Sequence, residues 1–419
     1  MTWLQRYHVR HYLRNSIWIM PVLAMIAAVI LVRLLHWFED AMGWQSTLHP
    51  DSTRAVLGTL AGAMFTFIVF VCSSLLLVVQ LASAQLTPRI IGILFRDRIT
   101  KLTLSVFVFT FAFSVSALIR IGTTVPPLTA EIAAYSAAAC LGLFVFLIDH
   151  VGKLLRPSGA LGSVAKQAHQ VIDSVYPRRL KDSPAPSAES TIVRAGPPRT
   201  FPSLRSGVVL AFDVRGLVAL GARYDCLIEL GPQVGAFVAP GDVLFRVFGG
   251  ADLPSAALHA SIALGAERTM AQDPAFAFRL IVDIASKGLS PAINDPTTAV
   301  LAVDQIHHLL RHVGRRRLDD EKVRDGAGRV RLTYRTPDWE DFVTLAVTEI
   351  RQFGGSSIQI LRRLRAMLED LINTVPEERA APLRLELELL KRTAQRFFPE
   401  PEDQALAGAP DAQGMGGAD

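Results

Sequence analysis

Cysteine is scarce in this sequence: three residues in 419, at positions 72, 140 and 226. So few thiols build no disulfide framework, and their spacing fits no zinc ribbon or redox pair. Charge is thin as well, with 19% Asp, Glu, Lys and Arg. No acidic residue lies deep in any long apolar run, which argues against a proton pump built on an intramembrane carboxylate. A Gly-rich phosphate loop, a nucleophile elbow, a helical His-Glu-x-x-His and a matched carboxylate pair are all missing. The expectation is a protein that is not an enzyme, with no catalytic residues, no cofactor and no resident metal. The net charge of +5 is spread along the chain, so no nucleic-acid partner is expected.

What the sequence has in excess is hydrophobicity. Half of its residues are apolar and the mean hydropathy is +0.32, with the excess concentrated before residue 150. Four runs are long enough to cross ~30 Å of hydrocarbon as helices: Ile17 to Phe38, Leu57 to Leu81, Leu102 to Ile121 and Leu128 to Ile148. The first is too long for a signal-peptide core and reads as an uncleaved anchor. Lys and Arg collect in the arm before the first run (Arg6, Arg10, Arg14), between the second and third (Arg89, Arg96, Arg98, Lys101), and after the fourth (Lys153, Arg156, Lys166). The first connection instead carries Glu39, Asp40 and Asp51 against Arg54. The positive-inside bias therefore puts both termini in the cytoplasm of a bacterial inner membrane, with the bilayer as the first partner. The segment LTPRIIGILFRDRITK reads either as an interfacial amphipathic helix or as a plain extension of two long helices.

Within the second run, Thr59, Thr66, Ser73 and Gln80 recur every seven residues. Residues seven apart share a helix face with ~20° of drift per heptad, so they form one slowly turning polar line. Two readings stand. One is a helix–helix seam, where hydroxyl and small side chains allow close approach. The other is the wet lining of a path formed when copies of this helix surround an axis. A weaker companion line in the third run comprises Thr103, Thr110, Ser114 and Ala117.

Past residue 150 the pattern is that of a cytoplasmic α+β region. A juxtamembrane helix from Leu161 to Val175 and a Pro/Ser-rich linker occupy residues 151–203. Residues 204–250 carry short β-rich runs. The run VGAFVAPGDVLFRV resembles the turn-and-strand unit of biotinyl/lipoyl-type barrel-sandwich domains, without the lysine of a carrier, which implies a structural or docking module. A helical domain is expected over 251–400 and a disordered tail over 401–419. Asp295-Pro296 is a strong helix start, with Asp as cap and proline at the first helical position. Asn294, Asp295 and Thr297 at that break are candidates for a cytoplasmic ligand or coupling motif. On the helix that follows, Asp304, His308 and His312 stand at i, i+4 and i+8, a pattern that can hold a divalent ion but reads more simply as a solvated face, with Arg311 and Arg315 to Arg317 beside it.

The QLASAQLTPR end of the second run, the FRDR after it and ERTMAQDPAFAFRLIVDIASKGLSPAINDPTTAV together resemble a bacterial family of predicted membrane proteins, domain of unknown function 2254. The resemblance implies an integral inner-membrane protein with a large cytoplasmic region. It supplies no substrate and no catalytic residue. Two functions are compatible with the whole: an oligomeric channel or transporter lined by the second run and gated by the cytoplasmic region, for which a homo-oligomer is required, or a membrane-anchored cytoplasmic sensing or binding module without transport.

Overall fold

The computed structural model describes residues 2–43, 49–85, 87–90, 97–122, 127–180, 196–318 and 322–416. Residues 86 and 91–96 of the LTPRIIGILFRDRITK segment and 181–195 of the Pro/Ser-rich linker lie outside them. The chain divides into two compact units, Arg10–Gly159 and Met1–Val9 with Ala160–Asp419.

The first unit is a helical bundle. Helix α1, Trp3–Asn15, leads from the other unit into it, and four helices long and apolar enough to cross a membrane follow: α2 Ile19–Met42, α3 Pro50–Gln85, α4 Arg98–Arg120 and α5 Pro127–Leu155. Helix α4 is the centre, with 50% of its apolar stretch buried against 11% for α3. Its hydroxyl line makes the internal seam. Thr103, Thr110, Ser114 and Ala117 are all buried, and Cys140 Sγ donates to Thr110 Oγ1 at 3.3 Å. Such small side chains let helices approach closely where no hydrophobic driving force exists between them.

Polar side chains pin both ends of the bundle. Glu39, buried in the last turn of α2, accepts from the N–H groups of Leu128 (2.7 Å) and Thr129 (3.1 Å) and from the Thr129 hydroxyl (2.9 Å). It thereby caps the positive end of α5. Next to it, Arg54 Nη2 donates to the carbonyls of Ile121 (2.8 Å) and Gly122 (3.1 Å) at the end of α4. At the opposite end Asp97 caps α4 through Thr100 N (2.8 Å) and Thr100 Oγ1 (2.7 Å) and holds His150 Nε2 of α5 at 2.9 Å.

In the second unit α6, Pro157–Val175, is followed by two sheets. The strands are β1 Arg199–Pro202, β2 Gly207–Phe212, β3 Cys226–Leu230, β4 Phe237–Val238, β5 Val243–Gly249, β6 Ile262–Gly265, β7 Lys322–Arg324 and β8 Val330–Thr333. Their orders are β1-β5-β3-β8-β7 and β4-β2-β6. A barrel-sandwich module over 204–250 is not confirmed, since strands of that window pair with strands beyond it. The two halves of VGAFVAPGDVLFRV go to different sheets, as β4 and β5, and β3 pairs in parallel with β8, a strand from far outside that window. A helix, α7 Val214–Arg223, which the β-rich reading does not foresee, intervenes between β2 and β3, while α8 Ser255–His259 leads into β6. Phe245, Ile228, Leu217, Leu258 and Leu332 fill the common core.

The remaining helices form a second core: α9 Pro274–Gly288, α10 Pro296–Val313, α11 Trp339–Phe353, α12 Ile358–Thr374, α13 Ala380–Phe397 and α14 Pro401–Ala407. The expected apolar face of α10 (Ala299, Val303, Ile306, Leu310, Val313) is fully buried. On α11, Phe342, Ala346 and Ile350 are buried and Phe353 is exposed at the helix end. A buried pair, Arg351 Nε to Glu386 Oε2 at 2.9 Å, joins α11 to α13.

The expectation of a disordered tail fails for residues 401–416. Helix α14 buries Ala407, and the segment after it is stapled to α12: Arg362 donates to the carbonyls of Ala409 (3.3 Å) and Gly416 (3.1 Å), and Gln359 Nε2 to that of Gly414 (2.6 Å). Asp411 is buried and accepts from the N–H groups of Gly414 and Gly416, both at 2.7 Å. Composition alone misses this, because a few satisfied polar contacts rather than an apolar stripe hold the segment. Burial pushes the Asp411 carboxyl up, but the Gly416 and Gly414 N–H groups and Arg362 hold it below its ordinary value of 3.8. Replacing Asp411 with alanine should cost about 1–3 kcal/mol, read as a lower denaturant midpoint. The carboxylate's contribution is present above its ordinary range and is lost as pH falls through the folded-state value, so the wild-type and D411A midpoints should converge in acid.

Candidate functional site

The heptad line on α3 faces away from the bundle. Leu57, Ala61, Met64 and Val71 form the buried face, whereas Thr59, Thr66, Ser73 and Gln80 are all exposed. Thr59 Oγ1 donates to Ala55 O at 2.8 Å and Thr66 Oγ1 to Gly62 O at 3.0 Å, so both donors are spent on their own helix. At ~1.5 Å per residue Thr66 lies ~18 Å along α3 from Arg54, near the middle of a ~30 Å hydrocarbon layer. Whatever covers this line comes from outside the four helices of one chain.

At the α9–α10 break, Asp295 is a cap. Its Oδ1 accepts from Thr298 N at 3.0 Å and its Oδ2 from Thr298 Oγ1 at 2.6 Å. The working threonine is thus Thr298, which is buried, and not Thr297, which is exposed. Asn294 is exposed and left-handed (φ 49), and Asp295 N closes the turn onto Gly288 O at 2.7 Å. Capping and turn closure account for these contacts.

The third sequence candidate is divided by the fold. Asp304 pairs with Arg363 Nε at 2.7 Å, in a group that also ties His307 Nε2 to Asp370 at 2.7 Å. His308 and His312 turn instead toward α6. Each i+4 step rotates a helix position by about 40°, so Asp304 is about 80° from His312 and meets a different neighbour. Among the described residues no group of three His, Cys, Asp or Glu is arranged to hold a metal ion.

What His308 and His312 meet is His169. The ring centroids lie 4.7 and 4.5 Å apart, edge to face. One turn further along α6, Asp173 accepts from His312 Nε2 at 2.6 Å and from Arg316 Nη2. The chain after α6 then runs against the chain after α10. Leu180 N donates to Arg315 O at 3.0 Å and Arg317 N to Arg178 O at 2.9 Å. This two-stranded contact brings Arg179, Arg315 and Arg316 beside the imidazoles. The result is an open cavity of about 360 Å³ lined by His169, His308, His312, Arg179, Arg311, Arg315 and Arg316.

The electrostatics are one-sided. Asp173, the acid at this cluster, is shared by His312 and Arg316. Arg311 reaches Asp370 at 3.7 Å, an acid already bound to His307. The His169 Nε2 atom is buried without a hydrogen-bond partner among the described residues. Desolvation first, then the charges of His312 and His308, push the His169 imidazole down to about 4, against the opposing pull of Asp173.

Residues 14–370 match the family described as predicted membrane protein (DUF2254). The chain belongs to that family. Similar proteins are the uncharacterized protein Mb1321c of Mycobacterium bovis and the uncharacterized protein Rv1290c of Mycobacterium tuberculosis, each 26% identical over 432 residues, covering 96% of this chain and 80% of the relative. No solved structure matches. Membership of DUF2254 agrees with the four apolar helices and carries no activity.

In this DUF2254 protein the sequence names His308 and His312 but misses His169, Asp173 and Arg179. A signal was there: His169 and Asp173 are themselves at i and i+4 on α6, matching the i, i+4 pair on α10. Nothing in either helix alone says that the two pairs meet.

Because the folded state holds His169 neutral, the unfolded chain binds the extra proton between the ordinary value of 6.5 and about 4. Stability should therefore be full above pH 6.5 and decline as pH falls through that window. His169→Gln should flatten this decline in unfolding midpoints recorded between pH 7.5 and 4.5. A His169 resonance titrating near 6.5 in the native protein would contradict the assignment.

Proposed function

We propose that this protein is a membrane-anchored, non-catalytic binding module. Its four spans hold it in a bacterial inner membrane, both termini and the soluble unit are cytoplasmic, and ligand recognition takes place in the soluble unit, at the His169–His308–His312 cavity. The observation that carries the reading is that cavity: an open recess whose lining is cationic and whose nearby carboxylate is already doubly engaged. Concave sites with a few convergent polar groups are the usual seats of small-ligand binding. The Lys/Arg bias of the connections supports the orientation.

A second reading, an oligomeric channel or transporter lined by α3, is favoured by one observation: the outward-facing Thr59, Thr66, Ser73 and Gln80 line. It ranks second because Thr59 and Thr66 already donate to their own backbone, which lets a hydroxyl face hydrocarbon cheaply. In that reading a homo-oligomer is required, since the line lies on the outside of one chain's helices.

Ion flux in liposomes containing the purified full chain separates the two. The anchored reading expects no conductance above protein-free vesicles, for wild type and for the Thr66→Leu/Ser73→Leu double variant alike. A wild-type conductance that the double variant reduces several-fold would replace it with the channel.

A further inference from the structure

We propose that the cavity between α6 and α10 binds a phosphoryl dianion, a phosphate or phosphomonoester group, and takes up protons as it does so. The inference rests on the anchored-module reading and names the ligand chemistry of that site.

The argument begins with charge. The lining places four guanidinium groups and three imidazoles around one recess. Asp173 answers two of these seven groups, and Arg311 leans on an acid outside the lining. Arg179 and Arg315 have no carboxylate partner among the described residues. Like charges are gathered here at a cost to the folded state unless a counter-anion joins them. Guanidinium groups present planar forks of N–H donors that match the oxygens of phosphate bidentately. A metal cation is disfavoured by the same four arginines.

The imidazoles supply the second element. His169 packs edge to face against both His308 and His312, and its buried Nε2 has no partner. Burial first, and then the neighbouring His312 and His308 rings, oppose its protonation. A dianion reverses that balance, since each imidazole that gains a proton becomes a further donor to the bound oxygens. The groups facing His169 are His308, His312, Arg311, Arg315 and Arg316 from α10 and its extension, and Asp173 and Arg179 from α6 and its extension. Asp173 is the single acid among them.

Size is the third element. A cavity of about 360 Å³ exceeds one phosphate ion and admits a phosphomonoester with a small organic group. The phosphate can come from a soluble metabolite or from a lipid headgroup, and both present the same dianion.

The test uses the full chain in nanodiscs of neutral lipid, titrated calorimetrically with inorganic phosphate, phenyl phosphate and malonate. Expected are saturable binding of the two phosphates and, for phenyl phosphate, which stays largely a dianion above pH 7, net proton uptake and tighter binding as pH falls from 8 to 7. Affinity should drop about ten-fold or more in Arg179→Gln and in Arg315→Gln, with unchanged melting behaviour showing that the variants fold. His169→Gln should reduce the proton uptake and keep part of the affinity. Nanodiscs doped with phosphatidic acid give the lipid arm. If phosphatidic acid protects the cavity and the soluble phosphates do not, and Arg315→Gln abolishes that protection, the phosphoryl group comes from a lipid. Malonate binding without phosphate binding would overturn the phosphoryl assignment and leave the anchored module standing. Phosphate binding that ignores the arginine substitutions would overturn the site. Asp319, Asp320 and Glu321 follow the arginines in sequence and lie outside the described residues. If wild type binds no anion and the Asp319→Asn/Asp320→Asn/Glu321→Gln variant does, those acids are the native counter-charge and the proposal fails.

Discussion

Hydrocarbon offers no hydrogen-bond partner, and the first 155 residues are organised by that constraint. Every backbone polar group on the spans must be satisfied by the chain itself. Long helices satisfy the backbone. Glu39 and Asp97 satisfy helix starts at opposite ends of the bundle, and each does so across two elements: Glu39 lies in α2 and caps α5, while Asp97 caps α4 and holds His150 of α5. Thr103, Thr110 and Ser114 of α4 are buried as spacers, and Thr59 and Thr66 of α3 are folded back on carbonyls of their own helix. One chemical necessity thus produces two different uses of threonine on neighbouring helices.

In the second unit, among the described residues, no helix is long and apolar enough to cross a membrane. Its helices gather charge into specific networks: Arg351 with Glu386, Arg363 with Asp304, Arg279 with Asp283 and Glu349. In each of these, the bases are matched by at least as many acids. The His169 cavity stands out because they are not, and because its lining comes from two helix ends and the short ladder between residues 178–180 and 315–317. A cationic excess of this kind is a departure from the rule followed elsewhere in the same unit, and departures are where binding sites are found.

How much of this was readable beforehand follows from dimensionality. The four spans and the Asp295 cap depend on residues within one or two turns of each other, and the sequence displays them directly. The helix α7 is short and lies between strands, so its few apolar residues imitate a β run. The parallel pairing of β3 with β8 joins residues about a hundred positions apart, which no local period encodes. The candidate site divided in the same way. Capping by Asp295 was legible and the polar line of α3 was legible as a line, but which way it faces was not. His308 and His312 were legible as a pair; their true companions on α6 were not, because a contact between two helices is written in neither.

The stapled carboxyl-terminal segment has a practical side. Residues Ala409 to Gly416 are threaded through the donors of Arg362 and Gln359, next to the α12 face that holds Arg363. A purification handle or fluorescent reporter inserted between Ala409 and Gly416 therefore breaks a structural clasp. Labels introduced in an exposed surface turn, such as Asp325–Gly328 between β7 and β8, leave that clasp closed.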